Sequence, residues 1–586
     1  MAIAASFQAR TLPRALIGLY RRNGGQWPLI GISLLALSVI VVLLIVIVAV
    51  AFQDEIAYGK LGSLTLENFR TLYGDPLFRS AMANTAVFAC VTVLTALAFG
   101  MPIAWIVERT DLPGRSLVFS LLAATLLVPG FYVAMGWQFL LHPRIGILNK
   151  WLVDVLPIET APINVGAVPV MGIIQGIGLV PLAFIMMAPA FRNMDPALEE
   201  GAQVHGMGVI ARIRKISLPL LTPSIAAASI YVFAIGFAAF DIPAFLGLGN
   251  KTFTLSTFMY VKTQPLDALP DYGVVGSIAF SMMLFALALT WWYLRVIRQG
   301  HKYQVISGRN YRPTRLQLGR WKLAAWGYVA LLVTLSLLLP LLTLLWASVL
   351  PFLMVPSAAA FGAMTTDNYT NIPWKGFWGA IKNSAILIVA TPTLASLAGI
   401  ATSWIVTRSR MRGAWAFDLV SFLPHVIPNL IFAVGALLIG LFVIPAFVPF
   451  YGTVLIVLMV YVVTTLPFAT RMYNSAFTQV HRELDEAGYV SGLGALLVLW
   501  KILRPLMAPT MLYAWLWIAL LAYRELTMAA LLVSRTNLTM PVYIWSVWDT
   551  GNLNQAAAVG LLTFMVFSPL VLAYFIFGRR ILPWSD

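Results

Sequence analysis

An all-α integral membrane protein, with about twelve transmembrane helices arranged as two parallel six-helix repeats, is the fold class this sequence predicts. Three observations carry that expectation. The chain is 60% hydrophobic and only 10% charged, with mean hydropathy +0.87 over 586 residues, which excludes a soluble domain. Apolar runs long enough to cross a bilayer recur along it, since about 20 residues at ~1.5 Å rise span a ~30 Å hydrocarbon core. The second half also repeats the first at nearly constant spacing.

Six runs lie in each half: Pro28 to Phe52, Asn84 to Val107, Leu117 to Leu140, Val165 to Ala190, Ser224 to Phe245 and Val274 to Val296, then Trp326 to Phe352, Asn383 to Val406, Ala416 to Val443, Val454 to Tyr473, Leu512 to Val533 and Ala556 to Phe577. The third, fifth, ninth and eleventh carry Pro or charge that can split them. The first run is longer than the apolar part of a signal peptide and lacks a small-x-small cleavage site, so it is expected to stay as a span. The single cysteine, Cys90, falls inside the second run and reads as a packing residue.

Asn84-Thr85-Ala86 matches Asn383-Ser384-Ala385, and Trp105-Ile106-Val107 matches Trp404-Ile405-Val406, both at an offset of 299. From Pro181 with Pro467 to Pro223 with Pro509 the offset is 286, and Gly276 pairs with Gly560 at 284. The drop places extra residues between the third and fourth spans of the first half. Six spans separate equivalent positions, so both halves enter the membrane in the same direction, about an axis along the membrane normal. The division expected is a first half at 1–296, a basic linker at 297–322 and a second half at 323–586.

Orientation follows from the basic residues. Arg295 to Lys322 holds eight Lys and Arg with no Asp or Glu, half of the net charge of +16. Arg10, Arg14, Arg21, Arg22, the turn Arg408-Ser409-Arg410-Met411-Arg412 and Arg579-Arg580 fall on the same side, so both termini are expected on the cytoplasmic side. Beside twelve spans, this basic excess reads as topology in contact with membrane lipid, not as nucleic-acid binding.

Two stretches on that side share one pattern. Glu200-Gly201-Ala202 is followed after three residues by Gly206 and after nine more by Ile216-x-Leu218-Pro219; Glu486-Ala487-Gly488 is followed likewise by Gly492 and Ile502-x-Arg504-Pro505. Asp195 with Pro196 suits a helix start, and the glycines suit a sharp turn. Each loop (195–220 and 481–506) therefore reads as helix, turn, helix. Ile210, Ile213, Ile216 and Leu220, with Leu496, Leu499, Ile502 and Leu506, form an apolar stripe ended by Pro219 or Pro505. The plainer reading is an amphipathic segment at the membrane surface.

The spacing resembles the EAA loop of binding-protein-dependent ABC importers, and the two copies resemble a fused pair of type I permease halves. Departures are Gly201 and Gly488 in place of Ala, and Arg504 in place of Leu. The resemblance implies that Glu200, Gly201, Ala202 and Gly206, with Glu486, Ala487, Gly488 and Gly492, dock two copies of a separate ABC ATPase. It also implies an extracytoplasmic solute-binding protein and a place in the inner membrane of a bacterial cell. The chain has no Gly-x-x-x-x-Gly-Lys-Ser/Thr phosphate loop of its own, so ATP hydrolysis is expected in the separate subunit; its five histidines form no ligand spacing, and no enzymatic activity, catalytic residue, metal site or cofactor is expected in it.

Asp241, in Phe240-Asp241-Ile242-Pro243, and Glu525, in Arg524-Glu525-Leu526-Thr527, coincide at the 284 offset. Charge within a span is costly enough to suggest function, so both are candidate pathway residues flanking the seam near its outer mouth. The bland alternative ties each to a helix end, or neutralises Glu525 with Arg524 or Arg471. His425, between Pro424 and Pro428, reads either way, and the prolines at 129, 424 and 428 suggest broken helices.

Fusion of both halves, with Arg524 to Leu532, Trp545-Ser546-Val547-Trp548-Asp549 and Gln555 to Gly560, is most similar to ferric-iron permeases. Thiamine, phosphonate and polyamine importers are alternatives within the class. A twelve-helix secondary transporter and a membrane-embedded transferase are alternatives outside it. The transferase would need a catalytic constellation that these residues lack.

Overall fold

The structure, a computed structural model, describes residues 26–54, 56–57, 60–265, 270–299, 316–409, 411–443 and 450–581. The N-terminal arginines and most of the basic linker (300–315) lie outside them, as do the side chains of Arg579 and Arg580.

The first half comprises α1 (Trp27–Ala51), α2 (Pro76–Arg109), α3 (Arg115–Leu127), α4 (Gly130–Leu141), α5 (Val168–Arg192), α6 (Pro196–Val204), α7 (Val209–Ala238), α8 (Asp241–Gly247), α9 (Leu255–Thr263) and α10 (Tyr272–Gln299). The second comprises α11 (Gly319–Ser348), α12 (Trp374–Thr407), α13 (Ala414–Val426), α14 (Asn429–Leu438), α15 (Val454–Gln479), α16 (Glu483–Val490), α17 (Ala495–Arg524), α18 (Thr527–Leu531), α19 (Met540–Asp549) and α20 (Leu553–Ile581). Apart from these and short helices outside the spans, such as Glu67–Gly74 and Ile147–Val155, the described residues contain a two-residue antiparallel pair, β1 (Ile56–Ala57) with β2 (Lys60–Leu61).

Among the described residues, ten helices are long and apolar enough to span a membrane, and two bent pairs, each taken as one span, bring the number to twelve. A helix satisfies its backbone groups internally, the condition for standing in hydrocarbon. The third and ninth runs are these pairs: α3 meets α4 at 86°, and α13 meets α14 at 101°. Pro129 and Pro428 cause the breaks, because proline forces its predecessor out of the helical region. Val128 and Ile427 accordingly have ψ of 126° and 133°. Pro424 differs from expectation, lying inside α13 without ending it.

The fifth and eleventh runs also differ from their expected bounds. Their helices end at Ala238 and Arg524, short of Phe245 and Val533, and short separate helices follow, the split that the Pro and charge in these runs allowed. At the other end they begin early, because Pro219 and Pro505 do not stop them. The chain instead takes a wide i→i+5 turn at Ile213–Ser217 and at Leu499–Leu503, each ending two residues before the proline. Thr334–Leu338 does the same before Pro340 in α11. Widening accommodates a ring that cannot donate an N–H and would clash with the preceding turn.

The repeat is realised contact for contact. Asn68 donates through Nδ2 to the carbonyls of Ala51 and Gln53, and Asn368 to those of Ser348 and Leu350. The Thr85 hydroxyl accepts from the Leu255 N–H at 2.8 Å, and the Ser384 hydroxyl from the Met540 N–H at 2.8 Å. Gly100 lies against Ala183 as Gly399 lies against Ala469, so α2 meets α5, and α12 meets α15, at backbone distance. Cys90, expected to pack inside, is exposed on the outer surface of α2.

The halves interlock across the seam. α4 of the first half packs on α11, the first span of the second, and α14 packs on α1. At the crossings, a side chain's first carbon built on Gly136 would fall 2.5 Å from Pro340 Cα, and one on Gly435 would fall 2.9 Å from the Leu43 carbonyl oxygen. These two glycines are themselves related by the 299 offset. Gly136→Leu is therefore expected to lower the unfolding temperature of the purified chain, at a cost of about 3 kcal/mol or more, because rigid backbone faces the added atoms. Gly178→Ala, where nothing lies within 4 Å, provides the silent control in the same thermal melt.

Candidate functional site

Both repeated loops lie at one end of the molecule, with the turns that follow α2 and α12. Glu108 pairs with Arg192 at 2.6 Å, Arg109 donates to the Met194 carbonyl, and Arg408 pairs with Asp485. The end of the basic linker is held there too: Asp111 accepts from the Leu318 N–H at 2.8 Å and pairs with Lys322 at 2.7 Å.

The loops have the helix, turn, helix form expected, with the same backbone. Gly206 and Gly492 have φ of 78° and 80°, a left-handed conformation that side chains disfavour. The N–H of Met207 donates to the Ala202 carbonyl and that of Leu493 to the Gly488 carbonyl, both at 3.0 Å, closing α6 and α16 by a six-to-one bond around the glycine.

Within each motif the residue at the third position is the buried one. Ala202 and Gly488 face the second helix, whereas Gly201 and Ala487 are exposed. Gly488 sits where an added carbon would fall 2.8 Å from both Val498 and Ile502, so glycine in place of alanine suits the closer packing of the second loop. Glu200 is half-buried and Glu486 exposed. The expected stripe is only partly realised: Ile213, Ile216, Leu220, Leu499 and Ile502 are half-buried, but Ile210, Leu496 and Leu506 are exposed. In the second loop the covered face is shifted to Ala495, Val498, Leu503 and Met507. The wide turn alters the angular phase that a 3.6-residue period assumes.

The outward apolar residues instead form matching tips. Val204 is 86% exposed and its counterpart Val490 91%.

Of two arginines at the loop end, Arg408 was read from sequence only as topology and Arg109 was not singled out. Arg109 and Arg408 stand at the 299 offset, and both are buried. Arg408 donates at 2.7 Å to the carbonyls of Phe477 and Val480, which end α15, and pairs with Asp485 of α16 at 3.2 Å; these two side chains are 5% and 7% exposed. Arg482 returns a bond to the Thr407 carbonyl at 2.7 Å. Burial pushes the Asp485 carboxyl above its ordinary range, against the pull of Arg408 and Arg482. Asp485 and Glu199 match at the 286 offset, so the signal for this joint was present in the repeat.

At mid-depth the seam holds a cavity of about 400 Å³. It lies at the level of both helix breaks, ~20 Å from the loop end by the 13-residue length of α3. Asp241, Arg524, Thr527, His425, Asn429 and Gln175 contribute its polar wall. Asp241 thus lies at the helix breaks, where the expectation was the outer mouth, because α7 stops at Ala238 with the short α8 folded back against α4. Its carboxylate lies 3.4 Å from the Thr527 hydroxyl across the seam.

Glu525 does not line the cavity with it. Its carboxylate accepts from the Met528 N–H at 3.1 Å, at the start of α18, and its carbonyl accepts from the Tyr461 hydroxyl at 2.9 Å. The helix-end reading therefore describes Glu525, and Arg471 is engaged elsewhere, with Asp418 at 3.1 Å. Arg524 faces the cavity, its guanidinium donating to the Leu126 carbonyl of α3 in the other half. His425, far from being sealed in a core, lines the cavity between the rings of Tyr231, Phe422 and Phe468. Among the described residues, no three His, Cys, Asp or Glu side chains converge as a metal site.

Similarity to known proteins agrees with this architecture. The model of the binding-protein-dependent transport system inner membrane component family matches at residues 80–299 and again at 393–584. The ferric transport system permease protein FbpB of Actinobacillus pleuropneumoniae is 24% identical over 515 residues, covering 85% of this chain and 70% of that protein. The spermidine/putrescine permease PotB of Salmonella typhimurium is 24% identical over 41% of the chain and 82% of its own length. The sulfoquinovosyl glycerol permease SmoG of Agrobacterium fabrum is 29% identical over 40% of the chain and 76% of its own length. A bacterial alginate ABC transporter, solved with its oligosaccharide-bound periplasmic protein, is 20% identical over 41% of this chain and 85% of that one, with a TM-score of 0.35. With one domain match in each half, the chain belongs to the binding-protein-dependent transport system inner membrane components and is a multi-pass permease subunit of the ABC importer class.

Proposed function

We propose that this chain forms the whole membrane pathway of an ATP-driven importer, with ferric iron as its solute. The observation that carries the first part is the pair of repeated loops, identical in turn geometry and each presenting one exposed valine at its tip. Those tips, Val204 and Val490, fit grooves on two copies of an ABC ATPase on the cytoplasmic side, with Glu200, Gly201, Ala202, Gly206, Glu486, Ala487, Gly488 and Gly492 forming the docking helices and turns. The division into halves at 1–296 and 323–586, joined by a cytoplasmic linker, follows from the same reading, as do two cytoplasmic termini.

In this mechanism ATP binding draws the two ATPase subunits together and carries the loops with them. The buried joints at Arg109 and Arg408 pass that motion into the ends of α5 and α15. The halves then rock about the glycine crossings and open the seam toward an extracytoplasmic binding protein; hydrolysis resets them. No bond of the solute is made or broken.

Likeness to FbpB over most of the chain favours iron. The polyamine reading rests on a relative matching less than half of the chain. The test is reconstitution in proteoliposomes with the partner ATPase and binding protein. Uptake of radioactive iron that requires both partners and ATP is the expected result. Uptake driven by an ion gradient without the ATPase would overturn the importer reading and favour a secondary transporter.

A further inference from the structure

We infer that the solute enters the central cavity carrying an anionic oxygen group, held by Arg524. This rests on the seam being the translocation path. It deepens the iron reading: a ferric ion would cross as a complex with a carboxylate or phosphate ligand, not as a bare cation.

The charge of the wall decides it. Of the two carboxylates expected to line the path, only Asp241 does so, and it lies against Gly130 at the start of α4, where a side chain's first carbon would fall 3.0 Å from Oδ2. Glu525 is turned into the second half as a helix cap. What faces the cavity beside Asp241 is a guanidinium. The wall is therefore a balanced pair, not the ring of carboxylates that an unaccompanied trivalent cation would need for compensation.

Arg524 is also aimed. Its bond to the Leu126 carbonyl crosses the seam and uses one of five N–H donors, fixing the planar head at the break between α3 and α4. A guanidinium held this way offers the forked donors that match a carboxylate or phosphate. Around it, Gln175, Tyr231, Asn429, Thr464 and Thr527 supply neutral groups suited to the rest of a polar solute. The repeat supplies the contrast: the equivalent helices α7 and α17 end at Ala238 and Arg524, 286 positions apart, so the charge exists in one half alone.

The whole chain, purified with its ATPase, would be titrated with inorganic phosphate, citrate and spermidine at matched ionic strength while its melting temperature is followed. Phosphate or citrate is expected to raise that temperature and spermidine is not. Arg524→Gln should weaken the anion response at least tenfold, and Arg524→Lys, which keeps the charge but not the fork, should weaken it less. Asp241→Asn should strengthen it. An equal anion response in wild type and Arg524→Gln, stabilisation by spermidine alone, or a weaker response in Asp241→Asn would each overturn the inference. Should Arg524→Gln not fold, the Lys and Asn variants still decide. ATP-dependent uptake that is indifferent to the anion would sink this inference while leaving the importer reading in place; absent uptake would sink the importer reading itself.

Discussion

Exchanging Gly206 and Gly492 together for proline is expected to abolish co-purification of the ATPase and all ATP-driven uptake. Proline holds φ near −65°, whereas these residues sit at 78° and 80°. It also removes the N–H that each glycine donates, to the Gln203 carbonyl at 2.9 Å and the Tyr489 carbonyl at 3.0 Å. Each loop would lose on the order of 3 kcal/mol of local stability, more than an exposed two-helix hairpin can absorb. The twelve spans lie outside the affected turns, so the purified variant should keep its helical circular dichroism. An intact variant that still binds the ATPase and transports would eliminate the docking role.

Arg408→Gln should be nearly as severe, by a different route. Removing one partner of a buried ion pair costs about 3–5 kcal/mol, because the remaining charge stays desolvated. Here Asp485 would be left beside the unsatisfied carbonyls of Phe477 and Val480. With Arg408 gone, the Asp485 carboxyl would titrate higher still and take up a proton more readily. The expected phenotype is a transporter that assembles when overproduced at low temperature, hydrolyses ATP and moves little solute per ATP. Arg408→Lys should recover part of the stability but not the three-way joint. A normal ratio of solute to ATP in Arg408→Gln would show that the joint is only structural.

Much of the architecture could be read in advance because both halves obey one packing scheme. Small residues at the α2/α5 and α12/α15 crossings, Gly100 with Ala183 and Gly399 with Ala469, repeat at the same offsets as the spans that carry them. What escaped was decided by contacts distant in sequence. Pro129 and Pro428 each break a span while Pro424, four residues before Pro428, stays inside α13, and hydropathy does not tell the three apart. The direction of Arg524 depends on Leu126, 398 positions away, so the adjacent Glu525 looked like the cavity residue when it is a cap. The Arg408 joint was legible in principle, since Arg109 and Glu199 repeat Arg408 and Asp485 at the 299 and 286 offsets of the sequence, but basic residues beside a span are read first as topology.

The crossed packing of α1 on α14 has a consequence for biosynthesis. Leu43 meets Gly435, a residue roughly 390 positions further along. At ~5–20 residues per second, the ribosome delivers that neighbour only after roughly 20–80 s. Throughout that interval the opening helix must reside among lipids or the insertion machinery with its mating surface unfilled. Premature release or swapping between nascent polypeptides is thus a hazard intrinsic to the interlock, and tethering both lobes in a single translation product ensures that the correct mate always arrives.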